Sequence, residues 1–209
     1  MRSAFYVFIR TLLYIPAKLI FRVRVRGREN EPRRTEGPYL VCANHQTVLD
    51  VVFLALALRH QQPHFMAKEG VFRVPVLRRL VKWLGAFPVA RGRADVGAVK
   101  HSINLLKSGR SVGIFPQGTR CAGKALRETS PKGGAGLISS RAGVQILPVF
   151  IQMKEQKWRF LRRVTVVIGK PITVEEIAFD ESAKGEAMRI SELAFDRICA
   201  MSEAVQCVK

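Results

Sequence analysis

From residue 21 onward the apolar positions fall into short blocks whose spacing alternates between strand-like and helix-like periods. "FRVRVRG" (21–27) alternates apolar residues with arginine, the pattern of a strand with one buried face, and it stops at Gly27. After a polar, proline-containing stretch to Pro38, "YLVCA" (39–43) is a continuous apolar run, as expected of a central strand buried on both faces. Val48 to Leu58 is apolar apart from Asp50, lacks alternation and predicts a helix. "HFMA" (64–67), "AFPVA" (86–90), "SVGIFP" (111–116), "VQILPVFI" (144–151) and "RRVTVVIG" (162–169) predict further strands. Helical periodicity covers "VLRRLVKWLG" (76–85), Asp95–Ser108, Gly133–Ala142 and most of the last forty residues or so. Strands alternating with helices imply an α/β fold: a single domain over 22–209, with a largely parallel or mixed sheet flanked by helices.

The N-terminal run "SAFYVFIRTLLYIPAKLIF" (3–21) is apolar enough to suggest a membrane, but Arg10, Pro16 and Lys18 interrupt it. It falls short of the roughly 20 uninterrupted apolar residues of a spanning helix. On a helical projection Arg10, Thr11, Lys18 and Arg22 gather on one side, with Phe5, Phe8, Leu12 and Leu19 opposite. Residues 1–21 therefore read as a basic amphipathic helical segment lying in the headgroup region of an anionic leaflet.

Charge sharpens this picture without changing the fold. The 209 residues carry 35 Lys+Arg against 16 Asp+Glu, a formal net charge of +19, which implies a habitual anionic partner. No helix-turn-helix, zinc or RNA-recognition signature is present, so the expected partner is no nucleic acid but an anionic membrane lipid or an acidic small molecule. The cysteines, Cys42, Cys121, Cys199 and Cys207, form no CxxC pair and read as reduced thiols rather than metal ligands. Cys42 lies three residues before His45, but residues three apart in a strand point to opposite faces, which argues against a Cys–His nucleophile.

The candidate chemistry collects where strands end, the usual place for sites in such sheets. "NHQTVLD" (44–50) follows the central strand. A helix starting near Thr47 turns Asp50 back toward the His45 ring. The carboxylate then fixes one ring nitrogen, and the other is free to take a proton from a hydroxyl. Other predicted strand ends deliver cations: Lys68 after "HFMA", Arg91 in "GAFPVARG", and Arg120 in "FPQGTR" with Gly118 and Thr119. Cations converging beside a candidate base describe a site for a phosphorylated alcohol.

These stretches resemble the motifs of the glycerolipid acyltransferases, specifically the bacterial 1-acyl-sn-glycerol-3-phosphate (lysophosphatidate) acyltransferases. "NHQTVLD" matches their NHxxxxD signature, "GAFPVARG" their second motif, "FPQGTR" their third, usually FPEGTR, and "ILPV" (146–149) their fourth. The resemblance covers roughly residues 20 to 170. It implies that His45 is the general base, that Asp50 orients it, and that the hydroxyl attacks an acyl thioester directly. It further implies that Lys68, Arg91, Arg120 and the Gly118–Thr119 backbone hold the acceptor phosphate, with Asn44 and Gln117 beside the substrate. Ile146 and Leu147 would help wall the acyl groove. The expected acceptor is lysophosphatidate, the expected donor acyl-carrier protein or acyl-CoA, with no metal and no cofactor beyond that co-substrate. The expected location is the cytoplasmic face of the cell membrane, peripheral or monotopic. Two positions depart from the family pattern: Thr47 where Ser is frequent, and Gln117 where Glu is usual. The departure at 117 removes a carboxylate expected to brace Arg120, leaving a neutral carbonyl in that role.

Overall fold

The computed structural model describes residues 7, 8, 11, 12, 14, 19, 20, 22–73, 75–83, 85–89, 95–153 and 163–206. Arg91 lies outside these residues, as do Arg10, Lys18 and most of the N-terminal segment; the Lys68 side chain is likewise outside what is described.

The described strands are β1 (Arg24–Arg26), β2 (Leu40–Ala43), β3 (His64–Lys68), β4 (Phe87–Val89), β5 (Val112–Ile114), β6 (Ile146–Met153) and β7 (Val164–Ile168). They form one sheet in the order β1-β7-β6-β2-β5-β3-β4. From β6 through β2, β5 and β3 to β4 all pairings are parallel; β7 runs antiparallel to β6, and β1 pairs parallel with β7. The sheet is therefore mixed, with its parallel part built from strand–helix–strand units, as the alternation of patterns predicts. The helices are α1 (Asp50–Ala57), α2 (Pro75–Trp83), α3 (Val96–Lys107), α4 (Gly134–Ala142), the short α5 (Val174–Ile177) and the long α6 (Glu186–Gln206).

β2 sits mid-sheet with every residue buried, and its side chains divide by the period of two. Leu40 and Cys42 join one core layer with Leu105, Leu106, Ile138, Ile190 and Ile198, which α3, α4 and α6 bring to that face. Tyr39, Val41 and Ala43 join the opposite layer with Phe53, Leu54 and Leu58 of α1 and its exit. Coverage on both faces is why β2 reads as an unbroken apolar run rather than an alternating one. β1 is an edge strand: Val25 packs against the core, while Arg24 and Arg26 are exposed and discourage pairing with another chain.

The predicted elements recur with ends shifted by a few residues. The one shift that matters for chemistry is in α1, which begins at Asp50 rather than near Thr47. Of the N-terminal segment, the described Phe8, Leu12 and Leu19 are exposed apolar side chains. Among the described residues no helix is long and apolar enough to cross a membrane.

Candidate active site

The site forms where β2 leaves the sheet. Asn44 is fully buried, and its amide clamps β6: Nδ2 donates to the Ile151 carbonyl (3.0 Å), and the Ile151 N–H donates to Oδ1 (2.7 Å). The side chain thus extends the β2–β6 ladder one step past Ala43 and fixes where the next residue emerges. Asn44 does not reach the cavity described below; the expectation that it contacts substrate gives way to a structural role, because both amide ends are committed to backbone.

His45 emerges at that point with its ring stacked on Phe115 (centroids 3.9 Å apart, 13° between planes). Its Nδ1 lies 2.8 Å from Asp50 Oδ2. The same oxygen accepts the N–H groups of Gln46 (2.6 Å) and Thr47 (2.8 Å), and Oδ1 accepts the Thr47 hydroxyl (3.1 Å). Asp50 is fully buried, so its charge depends on these donors. A carboxylate only accepts, which puts the proton of the His45–Asp50 bond on Nδ1 and leaves the lone pair on Nε2. Starting α1 at Asp50 makes this possible: the preceding residues stay out of the helix, and their N–H groups turn onto the carboxylate.

Gln117 is the largest departure from expectation. It is buried, and its carbonyl accepts the His45 backbone N–H (2.8 Å) while its Nε2 donates to Thr129 Oγ1 (2.9 Å). The Thr129 hydroxyl in turn donates to the Leu126 carbonyl (2.7 Å). Gln117 therefore braces the histidine and not Arg120, whose side chain is exposed. The backbone turns between them at Gly118 (φ +69), with Gln117 buried on one flank and Arg120 exposed on the other. A second tie, from the Cys121 N–H to the His45 carbonyl (2.8 Å), holds the same loop against the histidine.

His45 opens onto a cavity of about 340 Å³. Gly118, Thr119, Lys132 and Asp95 line it together with the apolar Met66, Val89, Ala98, Val99, Ile114 and Ile138. Ile146 and Leu147 do not line it: each is fully buried, in opposite core layers. The apolar wall comes instead from the β3–β5 side and from α3 and α4, because β5, not β6, carries the FPQGTR loop. Cys42 is fully buried and burial pushes its thiol far above the ordinary range, so it supplies no thiolate. Among the described residues no group of His, Cys, Asp and Glu is arranged to hold a metal ion.

A family model described as acyltransferase matches residues 22–152, well over half of the chain. The chain belongs to the acyltransferase family. Among relatives of this acyltransferase, a 1-acyl-sn-glycerol-3-phosphate acyltransferase of Streptococcus pneumoniae is 32% identical over 203 residues, covering 93% of this chain and 73% of the relative. A Bacillus subtilis protein of the same name is 27% identical, covering 96% of this chain and 92% of its own length. The crystal structure of the 1-acyl-sn-glycerophosphate acyltransferase PlsC from Thermotoga maritima shares the fold, with a TM-score of 0.74 at 24% identity, covering 96% of this chain and 81% of that one.

The fold brings together His45, Asp50, Gln117, Gly118 and Thr119, and leaves Arg120 exposed and outside the cavity lining. Lys68 closes β3, paired in register with Val89 of β4. Three contributors escaped the reading of the sequence. Phe115 and Thr129 are ordinary residues whose parts appear only when the 115–129 loop folds against His45. Lys132 carries a charge that could have been noticed, but nothing in its spacing from the FPQGTR motif places it at the cavity.

Proposed function

We propose that this acyltransferase moves a fatty acyl group from an acyl thioester, carried by acyl-carrier protein or coenzyme A, to the free hydroxyl of lysophosphatidate, giving phosphatidate. The observation that carries this reading is the bond from His45 Nδ1 to Asp50 Oδ2 (2.8 Å), which leaves Nε2 for a hydroxyl in the cavity that His45 lines. The curated relatives named above bear the name of this reaction.

In the proposed step Nε2 takes the hydroxyl proton as the oxygen attacks the thioester carbonyl, and Asp50 holds the resulting imidazolium. The tetrahedral adduct then collapses, the C–S bond breaks, and the imidazolium returns its proton to the departing thiolate. Lys68, Arg91 and Arg120, with the Gly118–Thr119 backbone, hold the acceptor phosphate by charge-assisted hydrogen bonds. The step asks for no metal and no cofactor beyond the thioester. Residues 1–21 form the segment that rests on anionic lipid, with 22–209 as the acyltransferase domain, and the exposed Phe8, Leu12 and Leu19 support that division. The protein works on this reading as a peripheral or monotopic enzyme at the cytoplasmic face of the membrane, where the acceptor lies.

The test is release of free thiol on mixing the protein with lysophosphatidate and either acyl-carrier-protein or coenzyme A thioesters. Turnover should fall by about 10²–10⁴ in His45→Ala. A folded wild-type protein inactive with both donors overturns the reading, as does a His45→Ala protein of undiminished rate. Activity only on other lysolipids, such as a lyso-ornithine lipid, keeps the reaction and replaces the acceptor.

A further inference from the structure

The cavity beside His45 holds a cation that the motifs leave unassigned. Lys132 follows the FPQGTR loop and precedes α4; its N–H donates to the Pro116 carbonyl (2.8 Å), which pins its backbone to the start of that loop. Its side chain lies across Gly118. A Cβ added to Gly118 would stand 3.1 Å from both Cδ and Cε of Lys132 and 3.3 Å from Nζ. Gly118 also has φ +69, in the left-handed region that favours glycine. The glycine of the motif thus serves twice: it lets the chain turn, and its bare face is the track along which the lysine stem reaches the cavity.

The electrostatic setting leaves the ammonium available. Among the described residues no salt bridge holds Lys132. The carboxylate among the cavity-lining residues, Asp95, caps α3 by accepting the Ala98 N–H at 2.9 Å. Thr119 and His45 line the same cavity as Lys132, so an acceptor whose hydroxyl sits at His45 would bring its anionic end within reach of this loop.

We propose that Lys132 is a substrate-binding residue that holds the phosphate of the acceptor. This rests on the acyl-transfer reading above. An ammonium is a compact charge with three donors that can rotate, suited to a dianionic phosphate at a solvent-facing rim. It is ill suited to the alternative task of stabilising the tetrahedral oxyanion. That task calls for donors fixed in advance in a dry site, whereas Lys132 is exposed at the end of a long flexible stem.

The experiment is steady-state kinetics of the full chain with Lys132→Met, which keeps the length of the side chain and removes its charge, and with Lys132→Arg. Removing one charge-assisted bond to phosphate should raise KM for lysophosphatidate about 10- to 100-fold. The value of kcat should stay within about threefold and the donor KM should not move. Lys132→Arg should recover most of the loss. Gly118→Ala, which crowds the stem, should raise the acceptor KM in the wild-type background and add little in the Lys132→Met background, because both changes remove one interaction. Melting temperatures check that each variant is folded. An unchanged acceptor KM in Lys132→Met overturns the assignment while the acyl-transfer reading stands. So does a fall in kcat alone, or a rise in the donor KM alone. A wild-type protein that does not turn over lysophosphatidate overturns the acyl-transfer reading and this assignment together.

Discussion

Replacing Asp50 with Asn isolates the charge of the dyad from its geometry. The Oδ2 position receives three N–H donors, from His45 Nδ1 (2.8 Å), Gln46 (2.6 Å) and Thr47 (2.8 Å), so the amide oxygen of an Asn must occupy it. The amide nitrogen then takes the place of Oδ1, where the Thr47 hydroxyl, 3.1 Å away, turns from donor to acceptor. The variant is isosteric, leaves no cavity and keeps the proton on Nδ1. Only the negative charge facing the imidazolium is lost. A hydrogen bond to a charged partner contributes about 1.5–3 kcal/mol against roughly 0.5–1.5 for a neutral one, so the typical loss from this bond alone is about 1 kcal/mol. Two unit charges about 4 Å apart at an effective dielectric of about 20 attract by about 4 kcal/mol, which sets the upper end of the expected range. The expected fall in kcat is therefore between roughly 5-fold and 10³-fold, with the acceptor KM nearly unchanged. Thiol release at saturating donor and acceptor measures it, with a melting curve to verify folding. A change of kcat below about threefold would refute the idea that Asp50 stabilises the imidazolium. A loss beyond about 10⁴ would show that the two backbone N–H groups fail to pin the amide, so that the wrong tautomer forms.

Gln117→Leu should destabilise the fold by about 1–3 kcal/mol, read by urea unfolding, because the His45 N–H is left buried without an acceptor; unchanged stability would contradict the bond assigned to it. Gln117→Glu can accept from both the His45 N–H and the Thr129 hydroxyl, at the expense of the Thr129 bond to Leu126, so its activity should stay within about tenfold of wild type. Burial holds the His64 pKa below its ordinary value, outweighing the hydrogen bond to the Ser111 carbonyl that would raise it. The unfolded chain then binds the proton first as pH falls below about 6.5, so stability should decline from there down to the folded pKa; His64→Asn should flatten that decline in unfolding midpoints measured between neutral and mildly acidic pH. Gly113→Ala would set a Cβ 2.1 Å from the Phe65 ring, which stacks on Phe115 behind His45, so it should cost about 1–3 kcal/mol of stability and also slow turnover; a stable variant of full activity would show that this aromatic row does not position the histidine.

What the sequence determined by itself was local. A continuous apolar run at 39–43 marked a central strand covered on both faces, and alternation with arginine over 21–27 marked a strand with one buried face. The five-residue spacing of His45 and Asp50 made their contact a local one, closed by the turn that leads into a helix start. The order of the strands was not legible, and with it went everything that depends on which loops become neighbours. Gln117 meets the His45 backbone across 72 residues because β2 and β5 pair in parallel, in a register that aligns Cys42 with Ile114 and so ends both strands at the same level. That register also decided that the cavity is walled by β3, β5, α3 and α4 rather than by Ile146 and Leu147, and that Lys132 arrives at its rim. A spacing along one chain constrains the dihedral angles between two residues and hence their local geometry. Contacts between distant loops depend instead on how two strands align, and the alignment is chosen by the burial of both faces of the sheet at once, a property that no single stretch of residues carries.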